Sequence, residues 1–515
     1  LSGVLLIACS FAYFYATLTI SRKSPLWMDE VMASWLSQLP WKSVWSALLH
    51  GVMGSPPTYF YLLKAIRLAG GHGHLALRLP SVMGGYVAGL AVFLLARRYL
   101  SVPFAALAMV LTLDTGMLSY ATQVREYTLV TACFALAVVL WDSCDSEKPL
   151  AAWRVVAISI LLAASVALHF YGVLLVVAFA LMELIWAVLH RKTRLPLWAG
   201  IVAAGGSVLA WFPLMRHIMR FTVNDASSPQ FFSKPTIPHL LSSYGDLAFG
   251  GKGMSLYCGL LLIMAVLFFW DKVAGVPLLV DRPEEERQSE TTGMGSLESI
   301  PVPTARSADY EIIAIATSAV PLIVFLFALV VTRTFNERYA IAGSMGFALL
   351  TASLLSYLRV GPAVSCALLA GSVVLLLMAP RHATSPDPYG IQQLSRTGDS
   401  DPIVVGEGLV FLELEDAASP ALRSRLVYLT APPSEPNPDT TNDGLLTRWH
   451  IFRPDLNIRD PQDFLLSTRH FYLLHSSESA DVITPWLVRT GRLKVKGSQP
   501  GNRNSWLFEM TSVAQ

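Results

Sequence analysis

The chain has 515 residues, of which 53% are hydrophobic and only 14% charged, at a mean hydropathy of +0.50. Soluble domains carry roughly 25% charged residues, so this composition excludes an ordinary soluble multidomain protein, and equally a disordered, collagenous or disulfide-stapled one. With 38 basic residues against 36 acidic ones, the net charge of +2 points to no nucleic-acid partner.

Apolar runs of about 17–22 residues, long enough for a helix to cross a roughly 30 Å hydrocarbon core, predict a polytopic α-helical membrane protein. Eleven spans are expected, at 1–20, 82–100, 104–119, 126–141, 153–170, 172–190, 197–214, 255–271, 310–331, 339–357 and 360–379. The first residue is Leu rather than Met, which reads as a truncated start. No small-residue cleavage site follows, so 1–20 is expected to be a retained helix. The turns holding Arg97-Arg98, Lys148 with Arg154, Arg191-Lys192-Arg194, and Arg359 fall on one side of the membrane, as does the flexible loop 272–309. The positive-inside rule makes that side cytoplasmic. Segment 21–81, the loop 215–254, the short connections near 120–125, 171 and 332–338, and everything after 380 then lie outside.

Segment 21–81 carries Trp27, Trp35, Trp41, Trp45, Tyr59 and Tyr61, broken by Pro40 and Pro56-Pro57. Two readings are open: interfacial helices lying in the membrane plane, or aromatics packed on the bundle. After residue 380 the apolar runs shrink to strand length, at 402–405, 425–429, 470–474, 492–496 and 505–510, with helix-like stretches at 408–416 and 480–490. That alternation predicts an α/β domain over 381–515, beyond a transmembrane domain over 1–380. The five cysteines (Cys9, Cys133, Cys144, Cys258 and Cys366) show no metal-ligand spacing, and none falls in the last domain.

The outer ends of the spans hold an unusual set of polar residues. Asp29-Glu30 follow the first span, Arg125 and Tyr127 open the fourth, His169 ends the fifth, and Arg338-Tyr339 open the tenth. Ionisable groups at a membrane boundary are costly unless they are paired or line a wet cavity. A carboxylate there can take a proton from a hydroxyl, and two arginines can hold a phosphate. Blander readings stand beside these: Asp29-Glu30 as a helix cap, Arg125 and Arg338 as snorkelling residues, His169 as a packed histidine.

Several motifs resemble the GT-C superfamily of membrane glycosyltransferases, which includes protein O-mannosyltransferases and the aminoarabinose transferase of lipid A. The closer likeness is to bacterial dolichyl-phosphate-mannose-type enzymes that add galacturonic acid to lipopolysaccharide cores. The matching pieces, in order, are Trp27-Met28-Asp29-Glu30, Pro56-Pro57-Thr58-Tyr59-Phe60-Tyr61-Leu62-Leu63, Leu77-Arg78-Leu79-Pro80-Ser81-Val82, Arg125-Glu126-Tyr127, His169-Phe170-Tyr171-Gly172 and Arg338-Tyr339. The resemblance implies inverting transfer of a sugar from a polyprenyl-phosphate donor to a lipid, glycan or protein acceptor, on the outer face of the bacterial cytoplasmic membrane. By the same analogy Asp29 is the base that activates the acceptor, and Glu30 a second carboxylate. Arg125, His169 and Arg338 face the donor phosphate, and Tyr127 and Tyr339 line the cavity. No obligatory metal is expected, although Asp29, Glu30 and Asp114 are of a kind that binds divalent cations. The chain departs from the family's pattern at Gln123, where an acid is common, at Glu126, where Pro or an apolar residue is usual, and at Gly54-Ser55. In the last domain Trp449, His450, Trp486 and Trp506 are either sugar-stacking or core residues. The competing class is a transporter or flippase for a lipid-linked glycan. The chain lacks the paired internal repeat that such a protein would show.

Overall fold

The computed structural model describes residues 2–114, 116–144, 150–218, 233–249, 308–358, 360–381, 390–397, 400–430, 440–476, 483–489, 493–500 and 505–512. The expected span 255–271 and nearly all of the loop 272–309 lie outside them. The chain divides into two units: Leu1–Ile20, Arg78–Phe212 and Ala226–His382 in one; Ser21–Leu77, Pro213–Asp225 and Ala383–Gln515 in the other.

The first unit is a helical bundle of a multi-pass membrane protein. Among the described residues, six helices are long and apolar enough to cross a membrane: Gly3–Lys23, His74–Tyr99, Gly172–His190, Leu195–Ile218, Asp309–Thr332 and Gly361–Arg381. Four more are apolar but shorter: Val102–Leu113, Tyr127–Asp142, Ala152–Leu168 and Gly343–Ser356. The expected spans outside 255–271 fall on these helices. The expected span 104–119 is broken: its helix ends at Leu113, Asp114 interrupts the apolar run, and a short helix restarts at Gly116. Every residue from Phe104 to Leu113 is buried, so this helix is wrapped on all sides, with Gly343–Ser356 and Gly361–Met378 against it. Lipid offers no hydrophobic drive between helices, so close approach depends on small residues. At Gly346 a Cβ would sit 2.2 Å from the Ser318 amide nitrogen, so the two helices meet there through bare backbone.

One end of the bundle is closed by ion pairs. Asp142 accepts from Arg98 and Tyr99, and buried Glu183 accepts from Trp141 Nε1 at 2.7 Å and Arg194 Nε at 3.0 Å. The Arg194 guanidinium also lies 3.7 Å from the Trp186 ring centroid. A carboxylate inside a bundle is tolerated when its lone pairs are filled in this way.

The second unit is built on a six-stranded sheet of order β3-β2-β1-β4-β6-β5, with β1 Ile403–Val405, β2 Leu426–Leu429, β3 Ile458–Arg459, β4 His470–Ser476, β5 Leu493–Pro500 and β6 Ser505–Ser512. The first four strands in that order run parallel; β6 and β5 are antiparallel. β1 and β2 are buried at every position, as parallel strands covered on both faces must be. Phe464, Phe471, Ile483, Leu487 and Met510 fill the core around them. Five strands coincide with the expected apolar runs. β3 does not: two residues long and half polar, it has no run to detect. Trp449 and Trp486 are buried, whereas Trp506 is exposed on β6.

Segment 21–77 forms part of this second unit. Its helix Met28–Gln38 packs on Gly408–Ala417, the crossover between β1 and β2. Trp35 meets Trp449 edge-on at 5.3 Å and carries the Arg453 guanidinium 4.6 Å above its ring. Arg67 donates to the hydroxyls of Ser34 and Ser37 at 2.7 Å each, and His74 Nε2 lies 3.3 Å from Asp416 Oδ2.

On the same crossover helix, burial pushes the Glu415 carboxyl up to about 7 against the opposing pull of Arg423 and Arg453. A carboxyl whose folded pKa is raised above the ordinary 4.5 favours the folded state fully below pH 4.5, and that contribution is lost as pH climbs towards 7. Glu415→Gln is therefore expected to raise the thermal unfolding midpoint at pH 8, by an amount worth about 1–3 kcal/mol, and to leave it unchanged at pH 4.5. Equal shifts at both pH values would show that the carboxyl carries no such penalty.

Candidate functional site

The end of the bundle opposite the ion pairs gathers five of the seven residues singled out from the sequence. Arg125 enters on the turn before helix Tyr127–Asp142. Ser81 pins that turn: its hydroxyl donates to the Arg125 carbonyl at 2.6 Å, while Thr128 Oγ1 donates to the Ser81 carbonyl at 2.8 Å. The Leu77–Val82 motif thereby acquires a physical role, since it anchors the arginine turn. Arg125 Nη2 donates to the Tyr127 hydroxyl at 2.8 Å, and both residues are buried.

His169 caps helix Ala152–Leu168 in extended conformation, and the chain turns back at once into helix Gly172–His190. Only glycine fits at 172, because a Cβ there would lie 2.2 Å from the Ser165 carbonyl oxygen. The Tyr171 amide donates to His169 Nδ1 at 3.2 Å, so the proton of the neutral ring sits on Nε2. That nitrogen faces Glu126 Oε1 at 3.8 Å.

Arg338 and Tyr339 arrive from the third direction. The helix before them ends in a π-helical turn over Ala328–Thr332 and a left-handed Arg333, irregularities that recur at functional sites. Asn336 then caps a single turn, Glu337–Ala340, by accepting from the Arg338 amide at 3.2 Å. The Tyr339 ring stacks on Tyr171 at 4.1 Å and tilts against His169 at 5.3 Å. Arg338 lies over the Tyr339 ring, 5.3 Å from its centroid. Tyr171 is fixed by donating to Thr332 Oγ1 at 2.9 Å. Burial, reinforced by Tyr339, lifts its hydroxyl above the usual phenol range, so it remains a donor at physiological pH.

These side chains enclose a cavity of about 10 Å³, lined by Tyr127, His169, Tyr171, Arg338 and Tyr339 among others. That is room for roughly one water. Both guanidinium charges act on His169 and on the Tyr127 hydroxyl. Arg338 lines this cavity and Arg125 is bonded to the Tyr127 hydroxyl in its wall, so two guanidinium charges favour an anion there, of the carboxylate or phosphate kind that arginines hold.

Asp29 and Glu30 belong to the second unit, in the first turn of helix Met28–Gln38, and both are buried. Glu30 Oε2 accepts from the Trp27 amide at 3.2 Å, which is the capping geometry. The Met28 amide is held by Glu413 at 3.0 Å. Among the described residues no cluster of three or more His, Cys, Asp or Glu could hold a metal. Two residues of the anion site had no role assigned from the sequence. Tyr171 stood inside a quoted motif, and Glu126 stood out only as a departure from the family's pattern.

No protein-family model and no curated protein matches the chain. Among solved structures, ArnT from Cupriavidus metallidurans bound to undecaprenyl phosphate is 12% identical, with 99% of this chain and 98% of that one covered at a TM-score of 0.55. The same protein in its apo state is also 12% identical, with 98% of each chain covered at 0.56. At such identity the likeness speaks for architecture, and it extends over the bundle and the C-terminal sheet alike. The chain shares the fold of ArnT.

Proposed function

We propose that the chain is an inverting glycosyltransferase that moves a sugar from a polyprenyl-phosphate donor to a lipid, glycan or protein acceptor, outside the cytoplasmic membrane. The observation that carries this reading is a cavity at one end of the bundle lined by Arg338, His169, Tyr127, Tyr171 and Tyr339, with the Arg125 guanidinium bonded to the Tyr127 hydroxyl beside it. The likeness to a fold seen with undecaprenyl phosphate in ArnT supports it. In this reading the acceptor oxygen attacks the anomeric carbon from the face opposite the phosphate. Asp29 takes the acceptor's proton, and the C–O bond breaks with its electron pair leaving on the polyprenyl phosphate. The phosphate needs no proton to leave, because Arg125 and Arg338 stabilise the charge it gains.

The test uses the purified chain in nanodiscs with a panel of radiolabelled polyprenyl-phosphate sugars. Acceptor-dependent release of polyprenyl phosphate from at least one donor is the expected result. Movement of an uncleaved glycolipid across vesicles, with no release, would replace the enzyme by a transporter.

A further inference from the structure

A site built only to grip phosphate would keep its positive charges unopposed. This one does not. Glu126, almost wholly buried at the start of helix Tyr127–Asp142, directs its carboxylate towards His169 Nε2 at 3.8 Å. Its charge reaches the same Tyr127 hydroxyl on which Arg125 and Arg338 act. Glu337, on the turn that carries Arg338, acts on Tyr120 beside them. With His169 neutral, two guanidinium groups are balanced by two carboxylates, and the formal charge of the cluster is near zero.

That balance matters because substrate and product differ in charge. A prenyl phosphodiester, the donor in the reading above on which this inference rests, carries one negative charge. The released prenyl phosphate is a monoester whose second ionisation lies near pH 6, so it is mostly doubly charged at pH 8. A fixed negative charge beside the site weakens both, and it weakens the dianion about twice as much in free energy. We propose that Glu126 sets the charge preference of this site, so that it accepts a singly charged prenyl phosphodiester and releases the doubly charged prenyl phosphate. Glu126 is a specificity residue: it stands beside His169 and subtracts one charge from the cluster. A charge this close, partly screened by solvent, changes affinity on the order of tenfold for each charge on the ligand.

The experiment measures binding of farnesyl phosphate and of its methyl ester, a matched monoester and diester, to the full chain in detergent at pH 8. Glu126→Gln keeps the size and shape of the side chain and removes only the charge. Glu126→Ala makes the same charge change with a smaller side chain, and Glu126→Asp retains the charge. Wild type and Glu126→Asp are expected to bind the diester at least as tightly as the monoester. Both neutral variants are expected to shift the ratio towards the monoester by about tenfold. An unchanged ratio in the neutral variants, with Arg125→Gln weakening both probes, would overturn the role of Glu126 and leave the phosphate site standing. If neither probe binds wild type, or Arg125→Gln weakens neither, the phosphate site itself falls and the charge preference with it.

Discussion

Arg338→Gln is expected to lower kcat/KM for a polyprenyl-phosphate sugar by about 10²–10³, and Arg125→Gln by a similar factor. The physical reason is that charge accumulates on the phosphate as the sugar leaves, and a guanidinium placed beforehand stabilises that charge more than it stabilises the bound donor. Arg338 gives the cleaner measurement. It is half-buried on a single turn with its guanidinium over Tyr339, so its removal opens little core. Arg125 is buried against Tyr127, and its variant requires a thermal unfolding control. Lysine at either position is expected to recover only part of the loss, since an ammonium cannot match the planar bidentate fork. A folded Arg338→Gln protein within threefold of wild type would remove this arginine from the reaction.

Asp29→Asn should reduce kcat by about 10²–10⁴, the usual worth of a positioned base, with donor affinity nearly unchanged. The neighbouring carboxylate supplies the contrast. Glu30 is engaged at the helix start, accepting from the Trp27 amide at 3.2 Å, so Glu30→Gln is expected to cost about 1 kcal/mol of stability and little turnover. Single-turnover kinetics beside equilibrium donor binding separate the two. A fall in donor affinity equal to the fall in kcat for Asp29→Asn would make that residue a binding group rather than a base.

Legibility differed between the parts of the chain for physical reasons. Helices that cross lipid must satisfy their backbone internally and present apolar side chains over a set length, so their positions stand in the hydropathy of the sequence. The polar residues at their ends are conspicuous because the surrounding runs exclude charge, which is how Arg125, His169 and Arg338 could be picked out before any contact was known. Strand β3 was invisible because two residues paired at the sheet edge need no pattern of their own. The placement of segment 21–77 with the C-terminal sheet was equally hidden. It depends on Trp35 meeting Trp449 and on Met28 meeting Glu413, pairs hundreds of residues apart.

Glu126 marks the boundary between the two kinds of knowledge. In the sequence it is one carboxylate beside an arginine; in the fold it is a buried charge 3.8 Å from His169 at an anion site. Composition and periodicity by themselves determined that this protein lives in a membrane, where its helices run, that an α/β domain follows, and which polar residues stand at the span ends. Only tertiary structure decided which of those residues share a cavity, that Ser81 anchors the Arg125 turn, that Tyr171 stacks on Tyr339, and that a carboxylate opposes the arginines. Those contacts are set by packing between helices distant in the chain, and packing depends on shape in three dimensions, which no local pattern encodes.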